Sequence, residues 1–426
     1  MNRSFTFGCG QGATKAMIHC IENGTLDRDE CCIVNSTQKD IPEEYRDNAI
    51  IISEDPDAGC GKVRSAAKRL MLNYLKKNPN VIPSLLPEGE YQYVNIMATT
   101  EGASGSGASV ILAKYIESQL DIPVIITLIA GFETDTRGLQ NTIEYFKDLE
   151  GGNFVIRTVS NKKYLDKSSN TFTAEKMANE DISISFKVVN AFDIKDSEQN
   201  IDDTDHYKLI TNPGLMFVTE VPISRKLKNA NQFEQLISDA IDYNNSLDFE
   251  PSATKIGVFM NISDDNLDVI DTNFTAIKKK LCGSGTIDEF FVHRQYNASE
   301  QEFVRIIASG MNLPKDELQE IYDKYQKSVN TSNKKDDFFA SISGMQTATA
   351  EKTERTTDKN DDFFSQFDSD DMSDEDAMVI RRSKKRRISA DSNSDISGVG
   401  SYEKKRGFTA KKSSQQPYSE DSITGY

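Results

Sequence analysis

Gly102-Ala103-Ser104-Gly105-Ser106-Gly107 is the stretch on which the reading of this chain turns. It follows an apolar strand pattern at Tyr93–Ala98 and opens a helical pattern over 108–120. Glycine tolerates positive φ and close backbone approach, so amide N–H groups can converge on phosphate oxygens there. A helix that begins at such a loop adds the partial positive charge of its N-terminus. Two further stretches have the same character. Gly8–Thr14 follows the strand pattern Ser4–Phe7, and Asp57-Ala58-Gly59-Cys60-Gly61-Lys62 follows Ala49–Ile52. A single loop of this kind is equally a plain tight turn, whereas three in one segment point to a phosphate ligand. None supplies GxxxxGK[ST], which argues against a P-loop NTPase. Gly8-Cys9-Gly10-Gln11-Gly12-Ala13 satisfies a loose dinucleotide pattern, yet the second strand, Cys31–Asn35, ends in Asn35-Ser36 and not in the acid that would hold a ribose diol. A Rossmann-like oxidoreductase therefore stays open as the alternative.

Outward from these loops, the first half alternates strand and helix patterns. Helical spacing covers Ala16, Met17, Cys20 and Ile21, then Ser65–Leu75, then Leu139–Leu149; strands are expected at Pro123–Ala130 and Phe154–Val159. The run Pro123–Ala130 is apolar throughout, as for a parallel strand covered on both faces. Residues 173–195 form a long connecting helix in this reading. Beyond it come a strand at Leu215–Val221, a helix at Gln232–Tyr243, a strand at Ile256–Ile262, a helix at Val269–Leu281, strands at Ile287–His293 and Phe303–Ser309, and a helix at 315–328. The expected fold is α/β: a Rossmann-like parallel-sheet nucleotide domain (1–172), a central helix (173–199), a smaller α+β C-terminal domain (200–312), a C-terminal helix (313–330) and a disordered charged tail (331–426).

The composition excludes several classes. The 426 residues carry 50 Lys+Arg against 67 Asp+Glu, a net charge of −17, which argues against a blanket nucleic-acid coat. The body, 1–330, holds 34 bases and 49 acids, and the tail holds 16 and 18, so the acidity belongs to the body. Identical acidic bodies repel, so any self-assembly is expected to need salt to screen them. No apolar run reaches the ~20 residues of a membrane span, and the N-terminus reads as a strand and not a signal peptide. The six cysteines lack CxxC pairing, as for reduced thiols in a cytoplasm. His19, His206 and His293 do not pair with them at metal spacing and read as ordinary helix or surface residues, and no metal ligand set is assigned.

The motifs together resemble the tubulin/FtsZ superfamily of GTPases, most of all the TubZ/PhuZ plasmid and phage tubulins. Gly102–Gly107 resembles the superfamily signature GGGTGSG or GGGTGTG, with Glu101 where a glycine is lost and Ser104 for Thr. Gly10-Gln11-Gly12-Ala13 is similar to its first phosphate loop, Asn35 to the asparagine of the second, and Ala58-Gly59-Cys60-Gly61 to the γ-phosphate loop. Ala103, Ser104, Gly105, Ser106 and Gly107 complete the implied phosphate site. Phe132-Glu133 with Arg137 resembles FEGxxR, which implies a ribose contact for Glu133 with Arg137 nearby. Asn161, Met177 and Asp181 match the guanine contacts, with Met for an aromatic residue. Asn200-Ile201-Asp202-Asp203-Thr204-Asp205 fits the catalytic NxDxxD. The resemblance implies GTP/GDP with Mg2+ as ligands, and assembly-activated hydrolysis to GDP and phosphate. Subunits would stack head to tail in a cytoplasmic filament, with Asn200, Asp202 and Asp205 of one subunit acting on GTP of the next. A second local match, Asn212-Pro213-Gly214-Leu215-Met216 followed by Phe217-Val218-Thr219-Glu220, leaves the register of that loop open, and a solvated acidic turn is the plain alternative. An FtsZ-like division scaffold is the other functional class left standing.

The tail repeats Asp336-Asp337-Phe338-Phe339 as Asp361-Asp362-Phe363-Phe364, a pattern suited to a docking motif or to chance in biased sequence. Residues 381–387 hold six bases in seven, able to engage DNA, an acidic adaptor or the acidic stretch 368–376. The resemblance implies phage or plasmid DNA as cargo. The helix 315–328 is read either as core-packed or as a dock on the neighbouring subunit.

Overall fold

The computed structural model describes residues 3–149, 151–168, 170–190, 201–224, 226–270 and 274–329; Asn200 and the tail motifs lie outside them. Six strands, β1 (Ser4–Cys9), β2 (Cys31–Asn35), β3 (Ala49–Ile51), β4 (Tyr93–Thr99), β5 (Val124–Ala130) and β6 (Val155–Ser160), pair in parallel in the order β3-β2-β1-β4-β5-β6. Between them run α1 (Gly10–Glu22), α2 (Arg64–Lys77), α3 (Val81–Leu85), α4 (Ser109–Tyr115) and α5 (Thr136–Asp148), and β6 leads into α6 (Asn161–Lys167) and α7 (Thr171–Asn190). The remainder comprises α8 (Asp203–Ile210), β7 (Gly214–Ile223), α9 (Ala230–Asp242), β8 (Lys255–Asn261), α10 (Asp264–Leu267), α11 (Thr275–Leu281), β9 (Glu289–Gln295), β10 (Glu302–Met311) and α12 (Lys315–Val329).

The sheet does not stop at β6. It continues β6-β7-β10-β8-β9, with β10 antiparallel to both neighbours. The seam between β6 and β7 is two residue pairs, Val155 with Gly214 and Ile156 with Leu215.

Both faces of the parallel part are covered, which explains its unbroken apolar strands. On one face Phe7, Val94, Ile96 and Ala98 meet Met71 and Leu75 of α2, Ile111 of α4 and Phe146 of α5. On the other, Ile33 and Met97 meet Met17 and Cys20 of α1 and Ala178, Ile182 and Phe186 of α7. The last turn of α7 reaches further: Val188 and Val189 pack with Leu209, Ile210, Phe259 and Ile307, so one helix stitches both parts of the sheet.

Several expectations are corrected. The Gly/Ser stretch is not a loop before a helix. Ser104–Ala108 is already a π-helical turn running into α4, and Gly10 is the first residue of α1, because small residues let the chain coil at once at the end of a strand. The helix expected over Val269–Leu281 is shorter: among the described residues of that range only α11, Thr275–Leu281, is helical, with Phe274 in the left-handed region at φ 52° where it begins, and the short α10 ends before it at Leu267. His206 is a helix residue of α8, as expected, though buried, whereas His293 is a buried strand residue; both lie beside Phe259. The six cysteines are free, and only Cys60 is other than buried. No helix among the described residues is long and apolar enough to cross a membrane.

Burial lowers the pKa of His206 to about 4, the Val189 backbone partly opposing the shift. The unfolded chain titrates this ring near about 6.5, so between the two values the unfolded state binds more protons. Stability therefore falls as pH drops from 6.5 toward 4. His206→Leu should hold about 2 kcal/mol more of its neutral-pH stability at pH 4.5 than the parent. Chemical denaturation at pH 7 and 4.5 measures this, and parallel losses in both proteins would show another group to be responsible.

Candidate functional site

In the parallel part, the segments that follow β1, β2, β4, β5 and β6 all emerge at one edge of the sheet, where ligands of open α/β sheets bind. That edge gathers Gly10, Asn35, Ser104, Glu133 and Asn161. Helix α1 starts there with no side-chain cap and no acid in its first turn. The first amides of a helix lack intrahelical partners, so this terminus can take an anion.

The two glycine stretches lie back to back. A Cβ on Gly10, whose φ is 79°, would stand 2.7 Å from the Gly105 nitrogen, and one on Gly105 would stand 3.1 Å from the Cys9 carbonyl. Ser36 Oγ and Ser104 Oγ are 2.8 Å apart, and the Cys60 thiol also meets both hydroxyls. Three strand-end segments, after β2, β3 and β4, thus converge on one point. Around Gly59 and Gly61 a Cβ would meet nothing within 4 Å, so this loop borders open space.

Asn35 is buried; its Oδ1 accepts from Ser36 N at 2.8 Å, while its Nδ2 has no partner among the described residues. Asn161, on the first turn of α6, is similarly buried with Oδ1 unmatched. Buried amide atoms without partners are costly, and a ligand with both acceptor and donor groups satisfies them. A glycine cradle, an uncapped helix start, one orphaned donor and one orphaned acceptor fit a nucleotide: phosphates at the glycines and a base beside Asn161.

The flanks are firmly tied. Lys62 Nζ bonds Asp135 at 2.7 Å, and Asp135 caps α5 by accepting from Gly138 N at 2.8 Å. Arg64, buried at the start of α2, donates to the Ser106 carbonyl at 3.1 Å and pairs with Asp148, so the loop carrying Gly59 is fixed to the signature stretch. Glu101 stands in the space a Cβ on Gly131 would need, and it accepts from Glu133 N at 2.7 Å. Burial, opposed in part by the Glu133 amide and aided by the neighbouring Asp135, raises its pKa from the ordinary glutamate value. On the base side, Asp181 of α7 accepts from Tyr164 OH at 2.5 Å, its pKa raised by burial, and Met177 lies one turn earlier and half-exposed.

The acidic turn lies elsewhere. Helix α7 begins just after α6, at the nucleotide edge, and its last residue, Asn190, accepts from Tyr93 OH at the first residue of β4. Gly214, just past α8, pairs with Val155 at the first residue of β6. Both markers place α8 toward the opposite edge, a strand length of roughly 20 Å away. Asp202 caps α8, its Oδ1 accepting from Asp205 N at 2.7 Å, and Asp205 is half-exposed beside Lys208 at 3.2 Å. Glu220, the alternative in register, sits inside β7 and accepts from the buried Arg305 at 2.7 Å.

No protein-family model matches the sequence, and no curated protein matches it. Solved structures do. TubZ of Clostridium botulinum phage c-st matches with TM-score 0.58 at 16% identity, covering 77% of this chain and 99% of its own. TubZ of Bacillus thuringiensis serovar israelensis, solved as a GTPγS-form protofilament, matches with TM-score 0.62 at 14% identity, covering 77% and 92%. CetZ1 of Haloferax volcanii, a GDP-bound monomer, matches with TM-score 0.60 at 16%, covering 77% and 99%. The chain has the tubulin/FtsZ fold.

Within this tubulin-like chain, the residues expected from sequence fall into two groups. Gly10–Ala13, Asn35, Ala58–Gly61, Ala103–Gly107, Glu133, Asn161, Met177 and Asp181 gather along the edge where the parallel strands end; Asp202 and Asp205 do not join them. Arg137, in the first turn of α5, donates to Gln140 at 3.0 Å. Sequence reasoning missed Glu101, Arg64, Tyr164 and Lys324. Only Glu101 left a trace, as an acid where the signature has glycine.

Proposed function

We propose that this chain binds GTP across the glycine cradle, polymerises head to tail and hydrolyses the nucleotide at the contact between subunits. The supporting observation is the separation of the two groups: a phosphate at the cradle lies a strand length from the acidic turn of its own chain. A second copy stacked on the nucleotide edge would present its α8 turn there. Asn35 Nδ2, the amides of Gln11–Ala13 and those of the 104–107 turn would hold the phosphates; Asn161, Met177 and Asp181 would hold the guanine, and Glu133 a ribose hydroxyl, with Arg137 close by. Asp205, with Asp202 and Asn200, would orient a water for in-line attack on the γ-phosphate. Mg2+ would neutralise charge developing on the phosphate oxygens. The polymer would act as a cytoplasmic filament that positions or segregates phage or plasmid DNA, the tail 331–426 engaging DNA or a DNA-binding adaptor.

Right-angle light scattering with GTP, GDP and no nucleotide tests this reading. A rise specific to GTP, with phosphate release following the rise, is the expected result. No rise with GTP, together with NAD binding, would favour an oxidoreductase and end the filament reading.

A further inference from the structure

We propose that Lys324, on the C-terminal helix, is a positioning residue that completes the ribose side of the nucleotide site through Glu133. The inference rests on the guanine-nucleotide reading above and assigns to that site a residue from the far end of the body.

Glu133 has only 10% of its side chain exposed and holds φ at 58°, a region L-residues seldom occupy. A strained conformation persists only where its surroundings over-determine it, and three contacts do so here. Glu101 accepts from its backbone nitrogen at 2.7 Å. Lys162 Nζ, one residue past Asn161, bonds its Oε2 at 3.3 Å, and Lys324 Nζ bonds the same oxygen. Because both cations take Oε2, Oε1 is the oxygen left to accept from a hydroxyl. Lys324 lies 191 residues along the chain from its partner. It arrives there because Leu318 and Ile321 of α12 are buried in the core that contains Leu139 and Phe146 of α5, with Tyr322 and Tyr325 packed against it. The Glu317 carboxylate adds a second tie by accepting from Asp248 N. Helix α12, expected from sequence to lie either in the core or on a neighbour, thus sits on its own body and delivers one ammonium group to the loop after β5.

The test uses the full chain and two nucleotides, GTP and 2′,3′-dideoxy-GTP, which lacks the ribose hydroxyls. Lys324→Ala should weaken GTP binding about tenfold while leaving dideoxy-GTP within about twofold of the parent. Lys324→Arg, keeping the charge, should restore GTP. If Lys324→Ala does not fold, Lys324→Gln carries the same comparison and should show the same selective loss. Equal losses for both nucleotides would make α12 a merely structural support, and no loss for either would remove the role; each overturns the proposal. Parent protein that binds both nucleotides equally well would keep the GTP reading and overturn the ribose role. Parent protein that binds no guanine nucleotide would overturn the proposed function itself.

Discussion

Asp205→Ala should leave nucleotide binding and assembly intact while GTP turnover falls by at least about 10²-fold, the usual contribution of a positioned base or water-orienting carboxylate. The neighbouring acid is a poorer choice for the experiment. Asp202 caps α8 through the Asp205 nitrogen, so its removal would cost roughly 1 kcal/mol of helix stability and mix two effects. Among the described residues Asp205 makes one side-chain tie, to Lys208, a part-exposed i,i+3 pair, and such pairs contribute little. Filaments of the variant should accumulate and persist, seen as sustained scattering with no phosphate release. Glu220→Ala is the matched control: it should keep turnover and lose about 2 kcal/mol of stability, because the residue accepts a charged hydrogen bond from fully buried Arg305. Turnover that survives Asp205→Ala and dies in Glu220→Ala would move the catalytic loop to 217–220.

The second large effect is expected at Gly10. With φ at 79° and the Gly105 nitrogen 2.7 Å from the added methyl, Gly10→Ala must hold an L-residue in the left-handed region and push the 104–108 turn aside. Holding alanine in that region costs about 1–2 kcal/mol; displacing the turn moves the amides that would meet the phosphates. Affinity for fluorescent GTP should drop by at least about a hundredfold, the scale of losing two charge-assisted hydrogen bonds. Gly24→Ala separates the two causes, because Gly24 has φ at 70° with nothing within 4 Å of its Cβ position. That variant should lose a similar increment of thermal stability and bind GTP like the parent. Equal GTP binding by both variants would show that Gly10 only shapes a turn.

The parallel part of the sheet was legible because burial on both faces writes itself as uninterrupted apolar residues: β2 runs over Cys31–Asn35 as its sequence suggests, and β5 begins one residue after the expected Pro123. The glycine cradle was legible for a related reason, since few side chains other than hydrogen allow two backbones within contact distance. The acidic turn could be placed before a helix only once α8 was seen, because Asp202 as a cap and Asp202 as a surface charge look identical in sequence. What could not be read were ties between distant segments. Lys324 and Glu133, Arg64 and Ser106, and Tyr164 and Asp181 are ordinary polar residues whose partners are set by how helices dock, and docking leaves no periodic mark. Tyr296 and Tyr243, exposed aromatics, likewise gave no hint that they would stay outside the core.

Where β6 meets β7, the two parts of the ten-stranded sheet are joined by two residue pairs. A plate so nearly scored across its width bends along the score first, and what spans that line is the rod formed by α7. Strain applied to one half, whether by a phosphate entering its cradle or by a neighbour pressing from below, would be transmitted as a tilt about that rod. The cohesion of the two parts therefore rests less on strand pairing at this line than on the side chains that α7 packs against both.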